Sequence, residues 1–281
     1  MSSLGDRMKA YEEEYNPRIP PYNSFIVRLD GKNFSKFTKG FKKPFDILFV
    51  RAMVRTMNDM IEKFNAVTGY SHSDEITLIF PPACTKEEFE AGENKSIHPH
   101  DGRVIKLCTV MAGYCSVRFC YHMNNLIETH QDEYTSQFIE KIKDSNYCFD
   151  ARALRFENPG EIVNHQIWRS VHDCHRNAVS TYARYRFGHK AVMNKNSKEM
   201  IDMMRKDGLD WDTDVPLYLK HGVYGKKELY EKTIAINNKE ITATRQRVSN
   251  RCFKIEYSDQ MLELLISKYW ADNEIGYSYH I

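Results

Sequence analysis

The chain has 281 residues, of which 42% are hydrophobic and 28% are charged, and its 40 Lys and Arg oppose 38 Asp and Glu for a formal charge of +2. This composition is typical of a globular protein and excludes a disordered chain. The net charge is too small to indicate nucleic acid binding, so an RNA or DNA partner has to be recognised from local patches of basic residues.

Seven cysteines without a CxxC pair predict free thiols rather than a disulfide framework or a zinc ribbon. No apolar run approaches the roughly 20 residues that span a bilayer. The first ten residues, MSSLGDRMKA, lack the apolar core of a secretory signal. We therefore expect a cytoplasmic protein with no membrane partner.

The first predicted strand covers residues 24–30, SFIVRLD, where apolar and other residues alternate up to Asp30. Gly31 follows and allows the backbone to turn or to approach a ligand closely. Pro44 and Asp46 then mark the start of a helix whose apolar residues recur at helical spacing to about residue 66.

A hairpin is predicted next, with an extended stretch near 67–71, an apolar run over 76–80, and Ser73, Asp74 and Glu75 at its bend. Residues 82–101 are polar and predict a surface insertion. A second helix over about 102–121 and a strand over 147–154 complete the order strand–helix–hairpin–helix–strand. That order predicts an α+β fold of the split βαβ, ferredoxin-like type, with an antiparallel sheet and helices on one face.

A long amphipathic helix is predicted over 160–187, and residues 188–281 mix helical and strand patterns. No Ser/Gly linker, low-complexity tract or internal repeat separates this part from the rest. We therefore predict a catalytic domain over 1–159 and a C-terminal helical and mixed α/β extension over 160–281 that packs on it.

Asp30 at a strand end and Asp74 at the hairpin bend become neighbours in this layout, because the first strand lies beside the hairpin. Paired carboxylates without a nearby thiolate suit Mg²⁺, which prefers oxygen ligands. Two such ions could activate an attacking hydroxyl and stabilise a leaving pyrophosphate, and the Gly31 carbonyl could complete one coordination sphere. Spacing alone fits equally well with two ordinary turn-capping aspartates.

Several basic and polar residues could bind phosphate. The segment GKNFSKF after Asp30 could bind it through backbone amides. Arg103 and Lys106 lie three residues apart on one helix face and could clamp a triphosphate, and Lys43 precedes Pro44. Each of these residues could equally belong to a solvated surface.

The 160–187 helix carries Arg169 and Asp173 at i, i+4 spacing, followed by His175, Arg176 and Asn177. Such a cluster suits phosphate or nucleotide-edge binding, although a charged helix flank has the same pattern. The chain has no HExxH, GxSxG or GxxxxGK[ST] motif, so the metalloprotease, serine hydrolase and P-loop classes have no support.

Six segments occur in an order that resembles the tRNA-His guanylyltransferase superfamily, including its Thg1-like proteins. The segments are GDRMKAYE (5–12), RLDGKNFSKF (28–37), KKPFD (42–46), SDE (73–75), FDAR (149–152) and DCHRN (173–177), and TATRQR (242–247) adds a looser match. The resemblance implies a polymerase-type palm domain that extends RNA at its 5′ end, in the 3′–5′ direction.

The resemblance also implies roles for individual residues. Two Mg²⁺ ions would be bound by Asp30, Gly31 and Asp74, and Glu75 would join Asp30 and Asp74 as a candidate catalytic residue that either touches a metal or orients the hairpin. The 5′ end of tRNA would meet His175, Arg176 and Asn177. The implied nucleotide-binding residues, for ATP and for GTP or other nucleoside triphosphates, are Asp30, Gly31, Lys32, Asn33, Phe34, Ser35, Lys43, Ser73, Asp74, Arg103 and Lys106.

The implied reaction is the activation of a 5′-monophosphorylated RNA as a 5′-adenylylated end, attack by the 3′-hydroxyl of a nucleoside triphosphate, and removal of pyrophosphate. True guanylyltransferases of the superfamily carry His-Ile-Asn-Asn where this chain has His175-Arg176-Asn177-Ala178. This departure resembles the Thg1-like branch, so we expect templated repair or editing of 5′-truncated tRNA.

Three other functions stay open at this point: untemplated guanylyl addition to tRNA-His, a palm-type nucleotide cyclase, and a non-catalytic tRNA-binding protein.

Members of the superfamily form tetramers, and we expect a homotetramer here.

Overall fold

The computed structural model describes residues 3–144, 147–236, 239–270 and 275–279. The elements up to residue 156 are α1 Leu4–Glu14, β1 Ser24–Gly31, α2 Phe34–Phe37, α3 Ile47–Phe64, β2 Thr68–His72, β3 Glu75–Phe80, α4 Lys86–Glu90, α5 Val104–Thr129, α6 Ser136–Asp144 and β4 Phe149–Phe156. Short 3₁₀ helices cover Pro99–Gly102 and Gln131–Glu133.

The elements after residue 156 are α7 Gly160–Ile167, α8 His175–Phe187, α9 His189–Val192, α10 Ser197–Lys206, α11 Trp211–Asp214, α12 Leu217–His221, β5 Val223–Ile236, β6 Lys239–Cys252, α13 Asp259–Ile266 and β7 Tyr277–Ser278. A π-helical segment, Trp168–Cys174, joins α7 to α8, so the single helix expected over 160–187 contains a π-helical stretch at its centre.

One antiparallel sheet with the strand order β4-β1-β3-β2-β5-β6-β7 organises the chain. In its first four strands α3 connects β1 to β2 and α5 connects β3 to β4, which is the split βαβ arrangement. The predicted α+β fold is confirmed. The strands β5, β6 and β7 of the C-terminal part extend the same sheet from β2.

Helix α3 forms where the sequence predicts it. Its N-cap Asp46 accepts a hydrogen bond from the Leu48 amide at 2.9 Å, and Asn65 ends it in the left-handed region at φ 55°. Met57 lies on its buried face and leaves no room for a side chain at Gly69 or Gly225, where a Cβ would come within 2.7 Å of it. Glycine in β2 and β5 therefore lets α3 pack directly on the sheet.

The two faces of the sheet are covered by different parts of the chain. Phe25, Val27 and Leu29 of β1 join one core cluster with α3 and α5. Ile26, on the opposite face, joins a second cluster with residues from α7 and α13, such as Ile162. The predicted helices on one face are α3 and α5, and the C-terminal part adds a layer on the other face. The domain boundary at 159/160 stays a prediction.

Helix α5 runs to Thr129, beyond the predicted end near residue 121. It is long and apolar enough to cross a membrane by length and composition alone, with 26 residues and a mean hydropathy of 1.2 over an 18-residue window. Leu107, Met111, Cys115, Phe119 and Met123 recur every four residues and are buried in the core, as expected of a core helix. All seven cysteines carry free thiols, as predicted.

We predict that Phe119→Ala lowers the free energy of unfolding by about 3–5 kcal/mol, because it would leave a cavity at the centre of an aromatic cluster. The Phe119 ring is fully buried and lies within 6.0 Å, centroid to centroid, of five others, which belong to Phe34, Phe37, Phe49, Tyr147 and Phe149. Urea denaturation of both proteins measures the difference.

Val117→Ala is the matched control, because Val117 lies on the same helix and is 67% exposed. It should change the free energy of unfolding by less than about 0.5 kcal/mol. Equal effects of the two substitutions would contradict the assignment of this α5 face to the core.

Candidate active site

The edge of the sheet where β1 ends brings Asp30 and Asp74 together. Asp30 is paired with Glu75 in the β1–β3 register, and Asp74 lies in the turn between β2 and β3. The Gly31 amide donates a hydrogen bond to the Asp74 carbonyl oxygen at 3.0 Å. The predicted neighbourhood of the two aspartates is therefore present, and it is fixed by backbone contacts.

The turn that carries Asp74 has a left-handed residue, Ser73, at φ 52°. Burial, and secondly the negative charge of Asp30, raise the pKa of the Asp74 carboxyl, although a hydrogen bond from Ser73 acts against this. Among the described residues, neither aspartate forms an ion pair. Two neighbouring carboxylates without a compensating cationic side chain are a donor set that fits a divalent cation bound through oxygen.

Gly31 meets a tight steric requirement. A Cβ at this position would lie 2.5 Å from the ring of Phe34, and the next amide, of Lys32, donates to the Cys148 carbonyl at 2.8 Å. Phe34 itself is 3% exposed and packs in the aromatic cluster, so its side chain supports the loop after Gly31 from the side of the core. Lys32, Asn33 and Ser35 are exposed on the outside of the same loop.

A cleft of about 180 Å³ opens next to the turn that carries Asp74, with Ser73 in its lining, although neither Asp30 nor Asp74 lines it. Its lining includes Lys43 and Ser73, two of the nucleotide-binding candidates from the sequence, and also Ser71 and His72, which the sequence analysis did not single out. Burial lowers the pKa of His72 to about 4, so its imidazole is neutral at neutral pH.

Arg103 and Lys106 are not brought to Asp30 within one chain. The Gly102 carbonyl accepts from the Ile19 amide, which places the start of α5 near the beginning of β1. Ser116 is the α5 residue near the end of β1, where its Oγ accepts from the Phe149 amide at 3.0 Å. Thirteen helical residues separate Arg103 from Ser116, about 20 Å. Within a single chain, the structure therefore does not bring these two basic residues to the aspartates, because α5 starts at the far end of β1, and their role in nucleotide binding stays a prediction.

Glu75 has a different environment from the two aspartates. Its carboxylate accepts a hydrogen bond from Arg169 Nε at 2.8 Å and a second one from the same guanidinium, and Arg28 Nε lies at 3.7 Å. Arg169 also pairs with Asp173, the i, i+4 neighbour seen in the sequence. The sequence could not show the Glu75–Arg169 pair, because its members are 94 residues apart.

The segment predicted to meet the tRNA 5′ end begins α8. His175 is partly buried, with its ring 5.6 Å from that of Trp211, and burial lowers its pKa. Arg176 is 64% exposed and pairs with Asp173 at 2.6 Å, and Asn177 is exposed. Arg176 and Asn177 are therefore available to a ligand, whereas the His175 ring mainly packs against its neighbours.

Comparison with known proteins gives consistent results. The family model described as tRNAHis guanylyltransferase matches residues 5–157. Uncharacterized protein R259 of Acanthamoeba polyphaga mimivirus is 42% identical over 276 residues, which cover 97% of this chain and 92% of that protein.

Two solved structures of a bacterial tRNA(HIS) guanylyltransferase (Thg1)-like protein are similar to this chain. The complex with ATP has a TM-score of 0.66 and 27% identity and covers 86% of this chain and 92% of its own. The complex with GTP has a TM-score of 0.60 and 25% identity and covers 87% and 91%.

We predict that Asp74→Asn raises the melting temperature of the protein in EDTA at neutral pH. The substitution removes a buried negative charge that is repelled by Asp30 and that no described side chain compensates. Calorimetry of the two proteins tests this.

Asp132→Asn is the control, because Asp132 is an exposed residue of the 3₁₀ helix Gln131–Glu133, beyond the end of α5 and outside the sheet. It should leave the melting temperature nearly unchanged. A clear loss of stability in Asp74→Asn would show that the two aspartates do not repel each other.

Proposed function

Because this chain belongs to the tRNA-His guanylyltransferase (Thg1) family of nucleotidyltransferases, we propose that it adds nucleotides to the 5′ end of tRNA in the 3′–5′ direction, in templated repair or editing of truncated tRNAs. The RNA would first be activated as a 5′-adenylylated end. The match over residues 5–157 includes both Asp30 and Asp74, and these two side chains are the observation that carries the proposal.

Two Mg²⁺ ions would be held by the carboxylates of Asp30 and Asp74 and by the Gly31 carbonyl. The support for this is the pair of neighbouring aspartates without an ion-pair partner in the described part of the chain, together with the Gly31–Asp74 backbone hydrogen bond. Bound there, the cations would neutralise phosphate charge and lower the pKa of an attacking hydroxyl. The residues of the chain would determine where the cations bind, and the burial of the site would strengthen the electrostatic effect of the cations.

The nucleotide would bind in the cleft beside these aspartates. Lys43 and Ser73 line it, and Lys32, Asn33 and Ser35 are exposed on the loop that follows Gly31. ATP and GTP are proposed as substrates because the similar bacterial proteins are described in complexes with them. The His72 imidazole, which is neutral at neutral pH, adds no positive charge to the cleft.

Templated repair is preferred over untemplated guanylyl addition because of the residues at the start of α8. The chain has His175-Arg176-Asn177 followed by Ala178, in place of the His-Ile-Asn-Asn of the guanylyltransferases it resembles. Ala178 is fully buried, so that position offers no polar group to an RNA end. Arg176, which stands where those enzymes have isoleucine, is exposed and offers a guanidinium.

A tRNA partner is supported by a local excess of basic residues that the net charge conceals. Residues 176–206 contain eight Lys or Arg and two acidic residues, on helices α8 to α10. Three of these basic residues pair with aspartates, namely Arg176, Arg186 and Arg205, and the others would attract the phosphate backbone without specifying sequence. A cytoplasmic location is supported by the seven free thiols, which are typical of reducing compartments.

A homotetramer is also part of the proposal. Its support is α1, in which no residue is buried: the side chains of Leu4, Met8 and Tyr11, and of the C-cap residue Tyr15, are 47–70% exposed. These positions follow one another at helical spacing and form an apolar stripe, as expected of a surface that is covered in an assembly.

We predict that Met8→Glu reduces the mass of the particle in light scattering after size exclusion, because it puts a charge into this stripe. Lys9→Glu changes the charge on a neighbouring position of the same helix and should leave the mass at that of the wild type. A monomeric wild-type protein would contradict the tetramer without affecting the proposed reaction.

The main experiment measures nucleotide addition to two 5′-labelled RNAs, with Mg²⁺, ATP and all four nucleoside triphosphates. One RNA is full-length tRNA-His and the other is a tRNA lacking its first 5′ nucleotide. We expect extension of the truncated tRNA by the base complementary to its 3′ partner. Asp30→Asn and Asp74→Asn should each reduce the rate by at least about 1,000-fold, since each removes a cation ligand.

The remaining outcomes separate the alternatives. Extension of tRNA-His alone would favour guanylyl addition over repair. A cyclic nucleotide formed from a free triphosphate would identify a cyclase, and RNA binding without any product would identify a binding protein. Asp132→Asn is the control for the aspartate variants, because Asp132 is exposed and lies outside the sheet, and it should retain wild-type activity.

A further inference from the structure

The Glu75 carboxylate lies beside the aspartate pair but is engaged by the π-helical segment Trp168–Cys174. Arg169 from that segment binds both oxygens of Glu75, with Nε to Oε1 at 2.8 Å, and its remaining amino group binds Asp173. The side chains of Glu75, Arg169 and Asp173 are 8%, 15% and 17% exposed. The three form a row of alternating charge that is largely shielded from water.

Glu75 belongs to the same face of the sheet as Asp30, because the two residues are directly paired across β1 and β3. It also follows Asp74 in the chain, and Asp150 of β4 is paired with Asp30 from the other side, so four carboxylates meet at one sheet edge. They differ in their partners, since Glu75 has Arg169 and Arg28, whereas the described residues give Asp30 and Asp74 no ion-pair partner. In the described ranges, no group of three or more His, Cys, Asp or Glu is arranged to hold a metal ion.

We propose that Arg169 is a positioning residue for the transfer reaction, which binds Glu75, keeps that carboxylate away from the cations, and fixes the turn that carries Asp74. The inference rests on the proposed two-cation site, and it adds a role for Arg169 to the roles proposed for Asp30 and Asp74. It makes Glu75 a residue that fixes the orientation of the hairpin turn and not a cation ligand, and these were the two roles that the sequence left open.

The geometry explains why an arginine suits this position. A guanidinium binds a carboxylate through two parallel N–H donors, which fixes the orientation as well as the distance. Asp173 holds the guanidinium from its other edge, and the Trp168 ring lies 4.9 Å from its central carbon. Arg169 therefore has little freedom to move, and neither has the strand residue that it binds.

Arg169 also decides how much negative charge the cation site presents. With Glu75 neutralised, the site presents two carboxylates, which leaves coordination positions for water and substrate phosphates. Without Arg169, the Glu75 carboxylate would be an additional oxygen ligand next to Asp30. It would bind a cation more tightly but replace a ligand that the substrate has to supply.

The experiment measures Mn²⁺ binding to the full chain by electron paramagnetic resonance, without nucleotide, and kcat and KM separately for the truncated tRNA. Arg169→Met should bind Mn²⁺ at least about threefold more tightly than the wild type, because it frees Glu75 as a ligand. Its kcat should fall at least about tenfold while KM for the nucleoside triphosphate changes less than about threefold.

Three further variants make the test specific. Glu75→Gln should keep the Mn²⁺ affinity within about twofold of the wild type but lose kcat, because Glu75 is not a ligand. The double variant Arg169→Met/Glu75→Gln should return the Mn²⁺ affinity to that of the wild type. Arg169→Lys keeps the charge but not the two-pronged contact, so it should lose kcat at unchanged Mn²⁺ affinity, and it carries the test if Arg169→Met does not fold.

Arg155→Met is the matched control, since Arg155 is a half-exposed β4 residue that pairs with Glu157 on the surface. It should match the wild type in both measurements. The proposal is overturned if Glu75→Gln weakens Mn²⁺ binding tenfold or more, which would make Glu75 a ligand, or if kcat survives in Arg169→Met. A wild-type protein that binds no Mn²⁺ would overturn the proposed two-cation site itself, whereas the variant results above would overturn only the role of Arg169. The two failures can therefore be distinguished.

Discussion

The hydrogen-bond register between β1 and β3 is the constraint on which the candidate site depends. It pairs Asp30 with Glu75, and the adjoining Gly31–Asp74 backbone hydrogen bond holds the hairpin turn against the end of β1. A shift of one residue would turn Asp30 towards the face that is packed by α3 and α5. The apolar residues of β1 prevent this shift, because Phe25, Val27 and Leu29 would then lose their places in the core.

The core in turn supports the loop that follows the first aspartate. The Phe34 ring lies directly under Gly31 and belongs to the aromatic cluster around Phe119. A larger residue than glycine would displace this ring, so the loop, the glycine and the cluster depend on one another. The exposed polar residues of the loop are thereby held on a rigid base, which favours a defined geometry towards phosphates.

The C-terminal part supplies charge partners as well as a second layer on the sheet. Arg169 pairs with Glu75, whereas Asp30 and Asp74 have no ion-pair partner in the described part of the chain. The π-helical segment has an additional residue in its turn compared with an α-helix, and such segments are frequent at functional sites. Buried ion pairs of this kind add little stability by themselves, so their value here lies in fixing one arrangement of the turn.

The sequence by itself determined the α+β fold, the strand end that carries Asp30, the hairpin turn that carries Asp74, and the family, because alternating apolar residues and contiguous motifs are local patterns. It also indicated Lys43 and Ser73, which the structure brings together in one cleft. The partner of Glu75 and the direction in which α5 runs from Arg103 were decided by the tertiary structure. The physical reason is that ion pairs and helix directions depend on how distant segments pack, and the spacing of residues along the chain does not record this.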